Sequence, residues 1–499
     1  MDLVIGTFVS EQRLARQVRS LAMNTKRGSA KNLGFLATLD AYAPCTTRVH
    51  PLEAILDIRG TPERGNVFVR FAACFAGFSA ITFSCAGRPV HDDELAFYLD
   101  HHLDFDWRAC CIDEEALLAT RDRVASLQDQ LRESEAPSIG SIAILEELLQ
   151  ELEAHETQRN SKLADEVRER LIRESCWLRG WTQEPPAVER ARAYFESRTD
   201  TAALVAGFFQ AWQQAHMLGD YRAAKVFARR LVSHASHAGA SARSIVEARL
   251  AAGASAFMLG QLAEAKTHLT AAIETYDAAF EPSHELAARD GNDMGVGATT
   301  HLAWVLFLLG DEAGSHANAA SALERARAIG HTTTSAMATV LAADCAHFHQ
   351  EPDRVLELLD ADTCHDKLPF WKELATLLRL WAMVALRRPM DDAIHKMTTA
   401  LDSYRSYGAL GCPYRLTQVA SVCMQLGEAE AARYHLDQAR AEARGTGERF
   451  WLPEILRMQA GLAQARGDVD AARSYRAEGM ELATEQGSVA LLARLRSEA

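Results

Sequence analysis

The sequence predicts a mainly α protein, in which a solenoid of about seven helical hairpins spans residues 186–499 behind a small α+β segment at residues 1–135. Three observations predict it. A phrase of Gly followed by Asp, Glu or Gln, with Ala five residues after the Gly, recurs about every forty residues. It pairs Gly219 with Ala224, Gly260 with Ala265, Gly427 with Ala432 and Gly467 with Ala472, and Gly310 carries Ser315 in the Ala position. Apolar residues on both sides of a marker keep a helical period: Ile245, Leu250, Ala254 and Phe257 before Gly260, then Leu262, Ala265, Leu269 and Ile273 after it. At 499 residues the chain exceeds what one ordinary core supports, a limit that stacked repeats escape because each packs only on its neighbours.

From the N-terminus, Glu11–Met23 reads as a helix and Ala54–Arg59 as a strand. Val67–Cys85, VFVRFAACFAGFSAITFSC, has the length of a membrane-spanning helix. Arg70 within it, and its many small and hydroxylated residues, favour two buried strands joined near Ala76-Gly77, or one buried helix. Asp92–Leu103 and Glu114–Glu133 read as helices. Residues 136–185 read as a linker followed by connecting helices. The linker is Glu133–Ser141, ESEAPSIGS, and Leu145, Leu148, Leu149 and Leu152 form a narrow stripe on the charged helical stretch after it.

In each hairpin the marker Gly suits a left-handed position after the first helix, which Gly adopts without a Cβ clash. The acid or amide after it opens the second helix, and the small residue five positions on leaves room where the antiparallel helices approach. Gly219 to Gly260 spans 41 residues, Gly260 to Gly310 spans 50, and Gly427 to Gly467 spans 40. Two degenerate units fit between Gly310 and Gly427. Their turns fall at Gln350-Glu351-Pro352 and Arg387-Arg388-Pro389, with Pro replacing Gly as the helix breaker. The longer gap places a loop, or a lengthened inter-helix connection, at Glu281–Gly297.

The period and the Gly-x4-Ala phrase resemble tetratricopeptide repeats, in the long-helix variety similar to the sensor solenoid of the bacterial maltose-regulon activator. Residues 170–495 more specifically resemble the C-terminal repeats of bacterial signalling proteins that carry a class III nucleotide cyclase, or a helix-turn-helix regulator, before an ATPase module. The matching stretches are Thr299-Thr300-His301-Leu302-Ala303-Trp304, Leu368-Pro369-Phe370-Trp371 and Gly445-Thr446-Gly447-Glu448-Arg449-Phe450-Trp451. The resemblance implies a binding or sensing array in a bacterial signalling protein. The chain departs from those proteins in having neither a GxxxxGK[ST] phosphate loop nor recognisable metal-binding cyclase aspartates.

Hydrophobic residues make up 48% and charged residues 24%, as in a folded soluble protein, and the formal net charge of -14 reads against broad nucleic-acid binding. Ten cysteines without a CxxC pair read as reduced thiols in the cytoplasm, and the acidic start, Met1-Asp2-Leu3-Val4, does not read as a signal peptide. His91, Asp92, Asp93, Asp100, His101, His102, Asp104, Asp106, Cys110 and Cys111 are metal-ligand types without a zinc spacing, so a solvated acidic segment is the better reading. Lys26, Arg27 and Lys31 read as a solvated loop, and Cys345, two residues from His347, as a buried structural thiol.

The array's aromatics, Trp212, Trp304, Trp371, Trp381 and Trp451, read mostly as core. Trp304, Trp371 and Trp381 are the candidates for partner binding in the concave groove. Trp371, close after Pro369, is the first choice for partial exposure. No metal and no cofactor are expected. The leading expectation is a non-enzymatic repeat protein that holds a protein, peptide or small ligand in its groove, with membrane and nucleic acid disfavoured as partners. The alternatives are an enzyme with its site in residues 1–135 and the repeats as a targeting arm, and a transcriptional regulator.

Overall fold

The computed structural model describes residues 114–133, 137–154, 158–182, 186–197, 201–237 and 240–497, with the backbone of four strands between residues 52 and 89. The expected helices at 11–23 and 92–103, the basic loop around Gly28 and the His91–Cys111 cluster lie outside the described residues. The chain divides into two compact units: residues 1–133 with 143–168, and residues 134–142 with 169–499.

In the first unit β1 (Leu52–Ile58), β2 (Val67–Cys74), β3 (Gly77–Cys85) and β4 (Arg88–Pro89) pair antiparallel in chain order. The apolar run at 67–85 is therefore a strand pair joined at 75–76. Among the described residues no helix is long and apolar enough to cross a membrane. The helix Glu114–Glu133 has the bounds expected of it, and Arg123 reaches Glu151 at 3.2 Å. Leu145, Leu148, Leu149 and Leu152 are all buried.

The second unit is a tetratricopeptide-like array. Seven consecutive helix pairs run from Thr201 to Gln486, each a first and a second helix, and a last helix, Val489–Ser497, follows them. In order the pairs are Thr201–Met217 with Tyr221–Ala235, Ala242–Met258 with Leu262–Ala279, Met294–Leu308 with Glu312–Ile329, and Thr332–Phe348 with Pro352–Ala361. Then come Pro369–Ala385 with Ala393–Tyr407, Cys412–Gln425 with Ala429–Thr446, and Leu452–Ala465 with Val469–Gln486. They are called hairpins 1 to 7 below.

All seven turns are built alike. In hairpin 1 the Gly219 N–H returns to His216 O at 3.2 Å and the Asp220 N–H to Ala215 O at 2.8 Å; the same pair of bonds closes every other turn. This double closure satisfies carbonyls that a helix end would otherwise leave unpaired, and it requires one left-handed residue. Gly219, Gly260, Gly310, Gly427 and Gly467 supply it at φ 72° to 85°. The two degenerate turns correct the expectation that Pro takes over the task. Gln350 (φ 60°) and Arg387 (φ 53°) occupy the left-handed position themselves, and Pro352 instead sits at the start of the second helix of hairpin 4, where its missing N–H costs nothing. Asp220, Asp311 and Asp468 cap their helices by accepting from the N–H three residues on, whereas Gln261 and Glu428 make no such bond. Ala224, Ala265, Ser315, Ala432 and Ala472 are fully buried, as close helix approach demands. The stretch expected as a loop after Phe280 contains a further short helix, His284–Asp290, capped by Ser283 and ended by Gly291 at φ 80°.

Second helices bury one stripe: Leu262, Ala265, Leu269, Ala272 and Tyr276, at spacings of three and four. The first helices of hairpins 3 and 4 bury nearly every side. All of Thr332–Phe348 is buried, and all of Met294–Leu308 except His301. The first helices are thus an inner layer sandwiched between second helices and one another. A Leu enclosed in this way contributes about 1.5–3 kcal/mol by burial.

The array also returns onto itself. The last carbonyl of each first helix in hairpins 1 to 4 is an acceptor for the second half of the unit. Met217 O accepts from Ala409 N–H (2.8 Å), Met258 O from Arg449 N–H (2.7 Å), Leu308 O from the Ser488 hydroxyl (3.4 Å) and Phe348 O from the Arg494 guanidinium. Gly411 N–H donates to the Tyr221 hydroxyl at 2.7 Å, and Trp181 N–H to Tyr407 O at 2.6 Å. Helix ends that would face water in an open solenoid are here closed by a later part of the chain.

A candidate ligand cavity in the inner layer

The inner layer does not fill its centre. A cavity of about 90 Å³ remains, and the first helices of hairpins 1 to 6 all reach its wall, together with Trp177, Trp181, Leu410 and Phe450. Gly297 contributes to the opening: a Cβ there would meet no atom closer than Met337 Cε at 3.7 Å.

The wall is largely aromatic. Trp177 stacks on Trp371 with ring centres 5.5 Å apart and meets Trp181 edge-on at 5.7 Å. Trp212 stacks between Phe209 (5.2 Å) and His216 (5.1 Å). Two of the indoles are satisfied, Trp212 by Ser255 Oγ at 2.9 Å and Trp304 by Leu341 O at 2.8 Å. Five buried polar atoms of lining residues have no hydrogen-bond partner within the protein: the indole nitrogens of Trp181 and Trp371, Gln213 Oε1, His216 Nδ1 and Arg415 Nε. An unmade hydrogen bond on a buried group costs about 1–3 kcal/mol, so these atoms are the polar features with which this largely aromatic wall can meet water or a ligand.

The electrostatics are neutral. Burial, then the neighbouring His301, pushes the His216 imidazole down to about 3. Burial also lowers His301, whose Nδ1 donates to Gly297 O at 2.8 Å. Arg415 is the one charged side chain in the wall. It is held by the Asp344 carboxylate, with Nη2 2.7 Å from Oδ2, and both are buried. The Tyr414 hydroxyl donates to Asp344 Oδ1 at 3.1 Å and contacts His347 Nδ1 at 2.8 Å. Burial pushes the neighbouring Glu448 up to about 8, so it is protonated at neutral pH, and it accepts the Tyr414 N–H at 3.2 Å.

The three tryptophans expected in an open groove separate here. Trp304 and Trp371 line the cavity, and Trp381 does not, lying under His347 at 4.3 Å. Trp371 is 2% exposed, which corrects its expected partial exposure: Trp177 and Phe370 close over it. Trp177 and Trp181 were missed because they fall in the stretch read as connecting helix. Trp177 lies on the helix Gln158–Arg179 and Trp181 just beyond it, after the left-handed Gly180, and the closeness of two tryptophans in the sequence was the available signal. Cys345 is buried, and burial pushes its thiol up to about 12.

No protein-family model matches this chain, and no curated protein is similar to it in sequence. Solved structures are similar in fold. A Rap protein complexed with Competence and Sporulation Factor superposes with a TM-score of 0.51 at 12% identity, covering 74% of this chain and 99% of its own. The Rap conjugation gene regulator of the plasmid pLS20 in complex with the Phr* peptide gives 0.45 at 12% identity, covering 74% and 96%. Aspartyl phosphate phosphatase F from Bacillus subtilis gives 0.40 at 12% identity, covering 76% and 97%. At these identities the first likeness bears on the fold alone, and no argument rests on the other two. The second unit has the fold of tetratricopeptide-like helical repeat proteins.

Proposed function

We propose that this protein is a non-enzymatic sensing and binding repeat protein, working as a regulatory scaffold in a bacterial cytoplasm. Its inner cavity takes a small, uncharged, largely apolar molecule carrying hydrogen-bond acceptors. The observation that carries the reading is one largely aromatic wall assembled from six hairpins, with the Trp181 and Trp371 indole N–H groups unpartnered in it. A ligand there touches most of the array at once, so filling the cavity tightens the hairpins together and changes the surface offered to a partner. Trp304 and Trp371 hold the ligand, and Trp371 donates to it. The domain plan that goes with this reading is a small α+β segment at 1–135, a connecting region at 136–185 and the array at 186–499. The Rap protein of similar fold is complexed with Competence and Sporulation Factor. By analogy a peptide or protein segment is the second class of partner, reaching the inner layer where the return contacts open.

The test is tryptophan fluorescence and calorimetry on the full chain with phenol, benzene and tetramethylammonium. Phenol is expected to bind more tightly than benzene, and tetramethylammonium not at all. Trp371→Phe, which keeps the ring and loses the donor, is expected to weaken phenol about five- to tenfold and leave benzene unchanged. Gly297→Leu, which fills the space, is expected to abolish both. Undiminished phenol binding by Gly297→Leu would sink the reading.

A further inference from the structure

We infer that the outer face of the second helix of hairpin 1, Tyr221–Ala235, is a docking surface for an acidic helical segment of a partner protein. The face lies outside the inner cavity and does not depend on what fills it. The helix carries Arg222, Lys225, Arg229 and Arg230 and contains no Asp or Glu, whereas every other second helix of the array has at least one acid. The acid just before it, Asp220, is committed to capping, through the Ala223 N–H at 3.0 Å. In a chain of net charge -14 this is a local reversal of sign.

The cations form one stripe. Positions 222, 225, 226, 229 and 230 recur at spacings of three and four, so they share the face opposite the buried Tyr221, Ala224, Ala228 and Leu231. Val226 stands among them, 50% exposed. Arg222, Arg229 and Arg230 are exposed, and among the described residues none of the three is ion-paired. Arg222 donates to Arg444 O at 3.3 Å, and Arg230 lies over the Phe208 ring at 5.4 Å. Other second helices supply their own counter-charges: Arg354 has Glu357, Arg433 has Glu430 and Asp437, and Arg473 has Asp470. Here the counter-charge is left for another molecule to bring.

The return of the chain gives the stripe depth. Beside it, where Arg449 approaches the turn at Gly260, lies a cleft of about 520 Å³ with Lys225 and Arg229 on its wall. Two carboxylates also reach the cleft, and each has a cation: Glu264 is 3.4 Å from Lys225, and Glu485 is 2.7 Å from Arg449. Arg229 is the wall cation left over. A guanidinium binds a carboxylate through two parallel N–H bonds, so a partner's Glu or Asp entering the recess is received by Arg229. The helix of 15 residues is about 22 Å long. A partner helix with acids three and four residues apart around one Leu covers it, the Leu over Val226. Nucleic acid or an anionic membrane extends beyond so short a face and meets the acidic remainder of the chain, which repels it.

The experiment is fluorescence anisotropy of the full chain with a fluorescein-labelled helical peptide of Glu and Ala carrying one central Leu. The peptide is expected to bind, and to be released as salt rises from about 0.05 to 0.5 M. Its counterpart with Gln in place of Glu is expected not to bind. The double variant Arg229→Glu, Arg230→Glu, at exposed positions, is expected to keep its helical circular dichroism and to bind about tenfold or more weakly. Arg433→Glu, Arg473→Glu makes the same change in net charge where the arginines have their own acids, and is expected to leave binding unaltered. Equal weakening by the two double variants overturns the assignment, because binding would then follow net charge alone. Failure of the Glu peptide to bind overturns it too. So does tighter binding of duplex DNA or phosphatidylserine vesicles that Arg229→Glu, Arg230→Glu abolishes. Phenol binding in the cavity is measured separately and is expected to be the same in all these variants.

Discussion

The hairpin turns at Gly219, Gly260 and Gly310 and those at Gly427 and Gly467 share a phrase, a left-handed glycine and the same pair of backbone bonds. They differ in what lies over them. A Cβ on Gly219 would come 3.2 Å from Ala409 O, on Gly260 2.8 Å from Gln486 Nε2, and on Gly310 2.8 Å from Val489 Cγ1. On Gly427 or Gly467 it would meet nothing within 4 Å. Leu259 and Leu309 pack against the core, while the equivalent Leu426 is 49% exposed. Local repeat chemistry therefore makes the turn. Whether a turn is also a packing surface depends on a second half of the chain that the repeat does not specify.

The strongest way to break this comparison is to cut the tie between the covered and covering halves. Asp344→Ala leaves the Arg415 guanidinium buried without its counter-charge, and urea unfolding is expected to show a loss of about 3–5 kcal/mol. A loss below 1 kcal/mol would mean that the halves do not depend on the pair. Next comes Gly180→Ala. Gly180 has φ 91°, and a Cβ there would lie 2.6 Å from Tyr407 Cα, a backbone atom that cannot swing away. Strain and clash together are expected to cost about 3 kcal/mol. Gly467→Ala carries the left-handed cost alone, about 1 kcal/mol, so equal losses at the two sites would refute the distinction between covered and open turns.

A pH series sharpens it further. Glu448 loses its proton near 4.5 when unfolded and near 8 when folded, so between these values the native state holds more protons and stability falls as pH rises. Histidines lowered by burial, such as His216, act the other way below their unfolded value of about 6.5. Glu247, which burial raises to about 7, acts in the same direction as Glu448 up to that value, so the window in which Glu448 dominates is about pH 7 to 8, where the unfolding free energy is expected to fall by about 1.4 kcal/mol per pH unit at most. Glu448→Gln should flatten that slope, and an unchanged slope would assign it to another group. The smallest effect is Gln350→Gly, which relieves the left-handed strain and is expected to stabilise by about 0.5–1 kcal/mol. Arg387→Gly should do the same.

Much of the array was legible. The seven turns stand at the seven places expected, because a left-handed cap and a close-approach Ala are local requirements written into a few adjacent residues. The candidate site was legible only in part. Trp304 and Trp371 could be listed as aromatic but not placed, since a helical stripe records that a side is buried and not what buries it. First helices read as striped and are in fact enclosed all round, as Val246, Ala248 and Ala251 show.

By itself the sequence determined the unit of construction: where each helix stops, which residue turns left-handed and which face packs on its partner. These follow from sterics and hydrogen bonding within about ten residues. Tertiary structure alone decided that Met217, Met258, Leu308 and Phe348 give their carbonyls to the second half, that six inner helices leave a shared cavity, and that Ser315 meets His349. Those contacts join residues tens to nearly two hundred positions apart. Their partners are chosen by the accumulated winding of many hairpins, a sum that no single repeat encodes.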